Sequence, residues 1–139
     1  KETLWVLISN LRAIKTDDEI RLMRYVCKIG SDAHISALKS TRAGLKQVQT
    51  QSVFEFEHAT NPARTELVSI PSAQVEGTAP PFITYKTQGY EPGQMALHDM
   101  GGKWYGYCAD IAITFPVDGK FTEKQKEIYN AVYEAQKAV

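Results

Sequence analysis

The chain has 139 residues, 43% of them hydrophobic, enough for one domain with a sizeable core or for a piece of a larger one. Sixteen Lys and Arg balance 16 Asp and Glu, and a net charge of zero argues against a broad basic surface for nucleic acid and against an acidic disordered tail. No apolar run approaches the roughly 18 residues a membrane helix needs, and Leu4–Ile8 is too short for a signal-peptide core. Two cysteines, Cys27 and Cys108, are too few for a disulfide framework and suggest a reducing compartment. A soluble, cytoplasmic protein without membrane or nucleic-acid partners is the expectation.

Leu4 to Ile8 reads as a strand. Thr16 with Glu19 three residues on forms a capping box, and Asp17 and Asp18 suit the positive end of a helix dipole. Apolar residues at Ile20, Met23, Val26, Cys27, Ile29, Ala33, Ile35 and Leu38 then predict a helix over about 17–39. Thr41 to Gly44 is a turn, and Val48, Val53 and Phe54 mark a second helix over about 46–57. Asn61-Pro62 and Pro80-Pro81 mark loops, with short strands at Leu67–Ile70 and Phe82–Tyr85. Gln88 to Gly93 reads as a polar linker. Two further apolar, β-branched runs follow, Met95–Asp99 and Tyr107–Phe115, and then a turn at Pro116–Gly119. Thr122 caps a last helix striped by Ile128, Val132 and Ala135. Strands adjacent in sequence imply an α+β fold with antiparallel pairing, and no Gly-rich strand-to-helix turn suggests a nucleotide fold.

The chemistry sits in Leu97-His98-Asp99-Met100-Gly101-Gly102 and Ala109-Asp110-Ile111. Asp is disfavoured in strands, and a buried unpaired carboxylate costs several kcal/mol. A hairpin centred on Trp104-Tyr105, with Gly106 supplying a positive φ, makes Asp99 and Asp110 directly opposed partners with Cβ atoms roughly 5 Å apart. Like charges so close call for a cation between them. Two divalent ions about 3.5–4 Å apart would fit, and oxygen ligands favour Mn²⁺ or Mg²⁺, with Zn²⁺ or Co²⁺ as alternatives. The bland alternative is that one Asp caps the turn and the other pairs with Lys103 or Arg64 at the surface.

These segments, followed by Ala112-Ile113-Thr114-Phe115-Pro116, Gly119-Lys120-Phe121-Thr122, Gln125-Lys126 and Ile128-Tyr129, resemble prolidase. This is the Xaa-Pro dipeptidase branch of the pita-bread metallopeptidases, alongside aminopeptidase P. Arg12, Ile14-Lys15-Thr16, Glu19-Ile20, Ala33-His34 and Gly44 are similar to the entry into that family's catalytic domain. The likeness runs over about 11–139 and is tightest from 93 to 138. It implies the front part of a pita-bread fold over 13–139, an antiparallel sheet flanked by helices, with 1–12 ending a linker from a preceding domain. It implies hydrolysis of proline-containing dipeptides by two divalent ions, most often Mn, held by two Asp, a His and two Glu. Asp99 maps onto the first Asp and Asp110 onto the bridging second. The remaining ligands map beyond Val139, so the piece alone is expected to be inactive. In such a site the ions lower the pKa of an attacking water and polarise the scissile carbonyl. The family often dimerises through its N-terminal domain.

Two departures stand out. Thr84-Tyr85 replaces a usual His-Tyr that helps hold substrate, and Ala112 replaces a Thr whose hydroxyl supports the attacking water. They keep open a catalytically inactive binding or scaffold protein; aminopeptidase P-type activity on the same scaffold is a separate alternative. Other candidates have plainer readings. His98 faces away from Asp99 on its strand and reads as packing or surface. His34 reads as a satisfied helix histidine, and His58 as a helix-end histidine favoured by the dipole. Cys108 reads as packing, and Arg12, Lys15, Arg21 and Arg24 as a solvated face.

Overall fold

A computed structural model describes residues 2–60, 66–67, 74–75 and 88–139. Four helices and six short strands follow in the order α1 (Glu2–Ala13), α2 (Asp17–Ser40), α3 (Gln47–Thr60), β1 (Glu66–Leu67), β2 (Gln74–Val75), β3 (Met95–Met100), β4 (Gly102–Trp104), β5 (Tyr107–Cys108), β6 (Ile111–Pro116) and α4 (Glu123–Lys137). Of the expected strand at Leu67–Ile70 only Leu67 is described, in β1; residues 68–70, the expected strand at 82–85, Arg64 and Thr84 lie outside the described residues.

The expected strand at Leu4–Ile8 is instead part of α1. Five apolar residues in a row fit either state. Leu4, Leu7, Ile8 and Leu11 have helical spacing, and no neighbouring strand offers backbone partners to this stretch among the described residues. All four are exposed, as is Trp5 at 71%.

Helix α2 begins as expected, with Thr16 and Glu19 closing a reciprocal capping box. Its buried stripe is Val26, Ile29, Gly30, Ala33, His34 and Ala37. Ile35 and Leu38 lie on its exposed flank, and so does Cys27. Helix α3 buries Gln47, Thr50, Phe54 and His58 rather than Val48, so its inner face is mostly polar. Both helices lie on one side of the β-structure, where Ala33, Ala37, Phe54 and Met100 form one core cluster. A second gathers Tyr90, Ala96, Phe115 and Val117. Tyr90 belongs to the segment read as a linker, yet its backbone is tied to the α2–α3 turn through Leu45 and Gly44.

The β-structure is dominated by one antiparallel hairpin. β3 pairs with β6, and β4 with β5, in a single continuous register. β2 adds to the outer edge of β3, and β1 to β4. The hairpin closes at Tyr105 and Gly106, both with positive φ (46° and 86°), the conformation of a two-residue type I′ turn. Tyr107 donates a hydrogen bond from its hydroxyl to Glu19, which moors the tip to the start of α2.

Helix α4 carries its own capping box, Thr122 with Gln125. None of its residues is buried, and Ile128 and Val132 remain exposed. The apolar stripe read from the sequence therefore exists but covers nothing among the described residues.

Candidate metal centre

Along β3, burial alternates: Ala96, His98 and Met100 face the helices, and Leu97 and Asp99 face the other way. Asp99 is thus half-buried on the open side of the hairpin. Its direct partner across the ladder is Ala112, and Met100 pairs with Ile111. The turn lies one residue later than Trp104-Tyr105, so the expectation that Asp99 and Asp110 are directly opposed is corrected. A one-residue move of the turn centre moves every cross-strand partner by two. Side chains alternate with period two, so both aspartates keep the same face. They become diagonal neighbours, for which separations of roughly 7–8 Å are typical.

Asp110 sits in the unpaired step between two anchored points. On one side is the Met100–Ile111 rung, and on the other Ala109 donates its N–H to the Gly102 carbonyl at 2.9 Å. Facing this step is Gly101, where a Cβ would fall 1.9 Å from the Ala109 carbonyl oxygen. Only glycine permits this close approach. Next to it, a Cβ on Gly102 would lie 1.5 Å from Nε2 of His58. The Gly-Gly pair after Asp99 is therefore what allows the strands and α3 to close around the acidic step.

Burial and the neighbouring Asp110 push the Asp99 carboxyl above its ordinary pKa, and His34 pulls it slightly back. The donor chemistry fits divalent cations. Two carboxylates share a face, Asp110 raises the cost of ionising Asp99, and a cation at the oxygens would relieve that repulsion. Among the described residues no group of three or more His, Cys, Asp and Glu is placed to hold a metal. The chain thus offers two carboxylates toward such a site.

The histidines lie behind this face. His98 is fully buried, edge-on to Phe115 with ring centroids 4.8 Å apart, and its Nε2 is 3.2 Å from the Tyr90 hydroxyl. That agrees with the packing role read from strand alternation. His34 is 3% exposed, and its Nε2 lies 2.9 Å from the Met100 carbonyl. A carbonyl only accepts, so Nε2 carries the proton, and burial keeps the ring neutral by lowering its pKa. His58 overturns its dipole reading. It is fully buried, stacked on Phe54 at 5.8 Å, and burial disfavours the charge a dipole would act on. Cys108 is exposed rather than packed. The sequence signal for the His58 contact was present in Gly102, since glycine inside a strand marks close approach of another group. Nothing in the residue pattern pointed to the bond from His34 to Met100.

The sequence pattern of Metallopeptidase family M24 matches residues 21–139. The chain belongs to that family. It is 34% identical over 139 aligned residues to human Xaa-Pro dipeptidase, covering 95% of this chain and 28% of the human protein. It is 35% identical to Xaa-Pro aminopeptidase of Haemophilus influenzae, covering 94% of this chain and 30% of that protein. The M24 chain therefore spans less than a third of the length of these relatives. Among solved structures it is similar to proline aminopeptidase P II from Yersinia pestis, with TM-score 0.84 and 29% identity over 91% of this chain and 29% of that one. Zn-substituted Escherichia coli aminopeptidase P in complex with product gives TM-score 0.82 and 28% identity over 92% of this chain and 29% of that one. The fold is accordingly the pita-bread architecture of aminopeptidase P, in its α+β form. Membership of a metallopeptidase family also carries the implication of divalent metal ions.

Proposed function

We propose that the full-length protein is a cytoplasmic Xaa-Pro dipeptidase. In this reading it uses two divalent ions, Mn in preference to Zn, Co or Mg, and cleaves dipeptides whose second residue is proline. Asp99 and Asp110 would be the ligands contributed by this stretch, with a His and two Glu supplied by the rest of the protein. Residues 1–12 lead in from a preceding domain through which the protein forms a homodimer. The observation that carries the reading is the pair of carboxylates held on one open face of the hairpin, where burial and the neighbouring Asp110 raise the Asp99 pKa above its ordinary value.

When bound, the ions supply Lewis acidity and an activated water. The protein's part is to hold the two carboxylates at a fixed offset, through Gly101 and the Met100–Ile111 rung, and to keep the histidines behind the strands neutral and out of the ligand set. The test is hydrolysis of a panel of free Xaa-Pro dipeptides and longer Xaa-Pro peptides by the full-length protein loaded with Mn²⁺. Dipeptide turnover lost on Asp99→Asn or Asp110→Asn supports the reading. Preference for longer peptides assigns aminopeptidase P-type activity instead. The isolated 139-residue piece is expected to show negligible turnover, and robust turnover by it would overturn the ligand assignment.

A second reading, a catalytically inactive binding protein on the same scaffold, is favoured by one observation. The residue directly opposite Asp99 is Ala112, which offers no hydroxyl beside the candidate ligands. Metal binding without turnover on any member of the panel would select it.

A further inference from the structure

We propose that His34 is a positioning residue that sets the offset between Asp99 and Asp110, an inference that rests on the metal-site reading above. Its imidazole rises from the buried stripe of α2 and donates Nε2–H to the carbonyl of Met100 at 2.9 Å. Met100 directly follows Asp99. Its ladder partner, Ile111, directly follows Asp110. One side chain from the helix layer therefore meets the rung that joins the residues after both carboxylates.

That rung is where positional control is needed. Beyond it the ladder skips the Gly101–Asp110 step and resumes with the bond from Ala109 to Gly102. Asp110 thus lies between rungs, and the spacing of the two carboxylates depends on how firmly the last rung of β3 and β6 is held. Neighbours fix the ring. Phe54 meets it edge-on with centroids 5.0 Å apart. On the strand side, Gly30 of α2 is close enough to Ile111 and Ala109 that a Cβ there would lie 3.2–3.3 Å from their side chains. Nδ1 has no hydrogen-bond partner, although the residue is buried. A desolvated, half-satisfied imidazole is costly where packing alone is required. Leucine would fill the space without that cost, so the bond to Met100 is the reason for a histidine.

The test compares His34→Leu, His34→Gln and Val26→Ala in the full-length protein, reading Mn²⁺ affinity by calorimetry and metal-free stability by urea melts. Residues that orient metal ligands typically change affinity about 10–100-fold when removed. His34→Leu should weaken Mn²⁺ binding by that factor. His34→Gln, which keeps an amide donor of similar reach, should recover most of it. Val26→Ala, a cavity elsewhere on α2, should lower stability and leave Mn²⁺ affinity unchanged. Wild-type affinity in His34→Leu overturns the inference while leaving the metal site intact. If His34→Leu does not fold, His34→Gln decides alone: affinity within about threefold of wild type supports the inference, and a larger loss overturns it. Absence of Mn²⁺ binding by the wild-type protein removes the metal-site reading itself, and this inference with it.

Discussion

Gly102 lies against the buried imidazole of His58, so closely that a Cβ on the glycine would coincide with the ring. The contact locks the start of β4 to the end of α3. His58 is itself wedged on Phe54 and has nowhere to retreat. Gly102→Ala should therefore destabilise the protein by about 3 kcal/mol, at the upper end of overpacking costs. Chemical denaturation of the purified variant measures this, and a loss below about 1 kcal/mol would show that the helix moves aside.

His98 gives a pH dependence of definite sign. Burial first, and the nearby His34 second, lower its pKa from 6.5 to about 4 in the folded protein. The unfolded chain therefore binds a proton that the folded chain refuses between about pH 6.5 and 4. Stability is full above that window and falls as the pH drops through it, by on the order of 3 kcal/mol for this residue. Burial of His34 and His58 acts in the same direction. Urea midpoints should decline from pH 7 to pH 4.5, and His98→Phe should flatten that decline. An unchanged slope would place the sensitivity elsewhere.

Asp110→Asn should separate stability from metal binding. Removing the charge that helps hold the Asp99 pKa up relieves a repulsion across the hairpin. The metal-free protein should gain slightly in stability, by less than about 0.5 kcal/mol because solvent screens so exposed a pair, while Mn²⁺ affinity collapses. A loss of metal-free stability would show that Asp110 makes a structural bond.

Tyr107→Phe should free the hairpin tip from α2 by deleting the bond to Glu19. A small loss of stability is expected. Faster amide exchange at β4 and β5 than at β3 and β6 would locate the loss. Uniform exchange across all four strands would mean that the hairpin opens as one unit.

Most of the helical framework was legible because capping chemistry is local. Thr16 with Glu19 announces one helix in a few residues, and Thr122 marks the start of another. The Leu4–Ile8 run was not, because a short apolar stretch carries no period of its own. The inner face of α3 escaped because Gln47, Thr50 and His58 fill buried positions that pattern reading reserves for apolar residues. At the site, the shared face of Asp99 and Asp110 was legible from strand alternation together with a two-residue turn, because a shift of the turn by one residue leaves the parity unchanged. Their diagonal offset was not, because it depends on whether the turn accepts a positive φ at Tyr105, a residue that rarely adopts one.

That offset has a consequence for how the hairpin can change. Whether two residues emerge on the same surface of a β-ribbon depends on parity, not on distance along it. A paired insertion, one residue in each arm near the tip, leaves Asp99 and Asp110 side by side. A single residue added to one arm between them turns one carboxylate toward the helices and dissolves the acidic pair without altering either aspartate. Drift in the length of this ribbon should therefore run in steps of two.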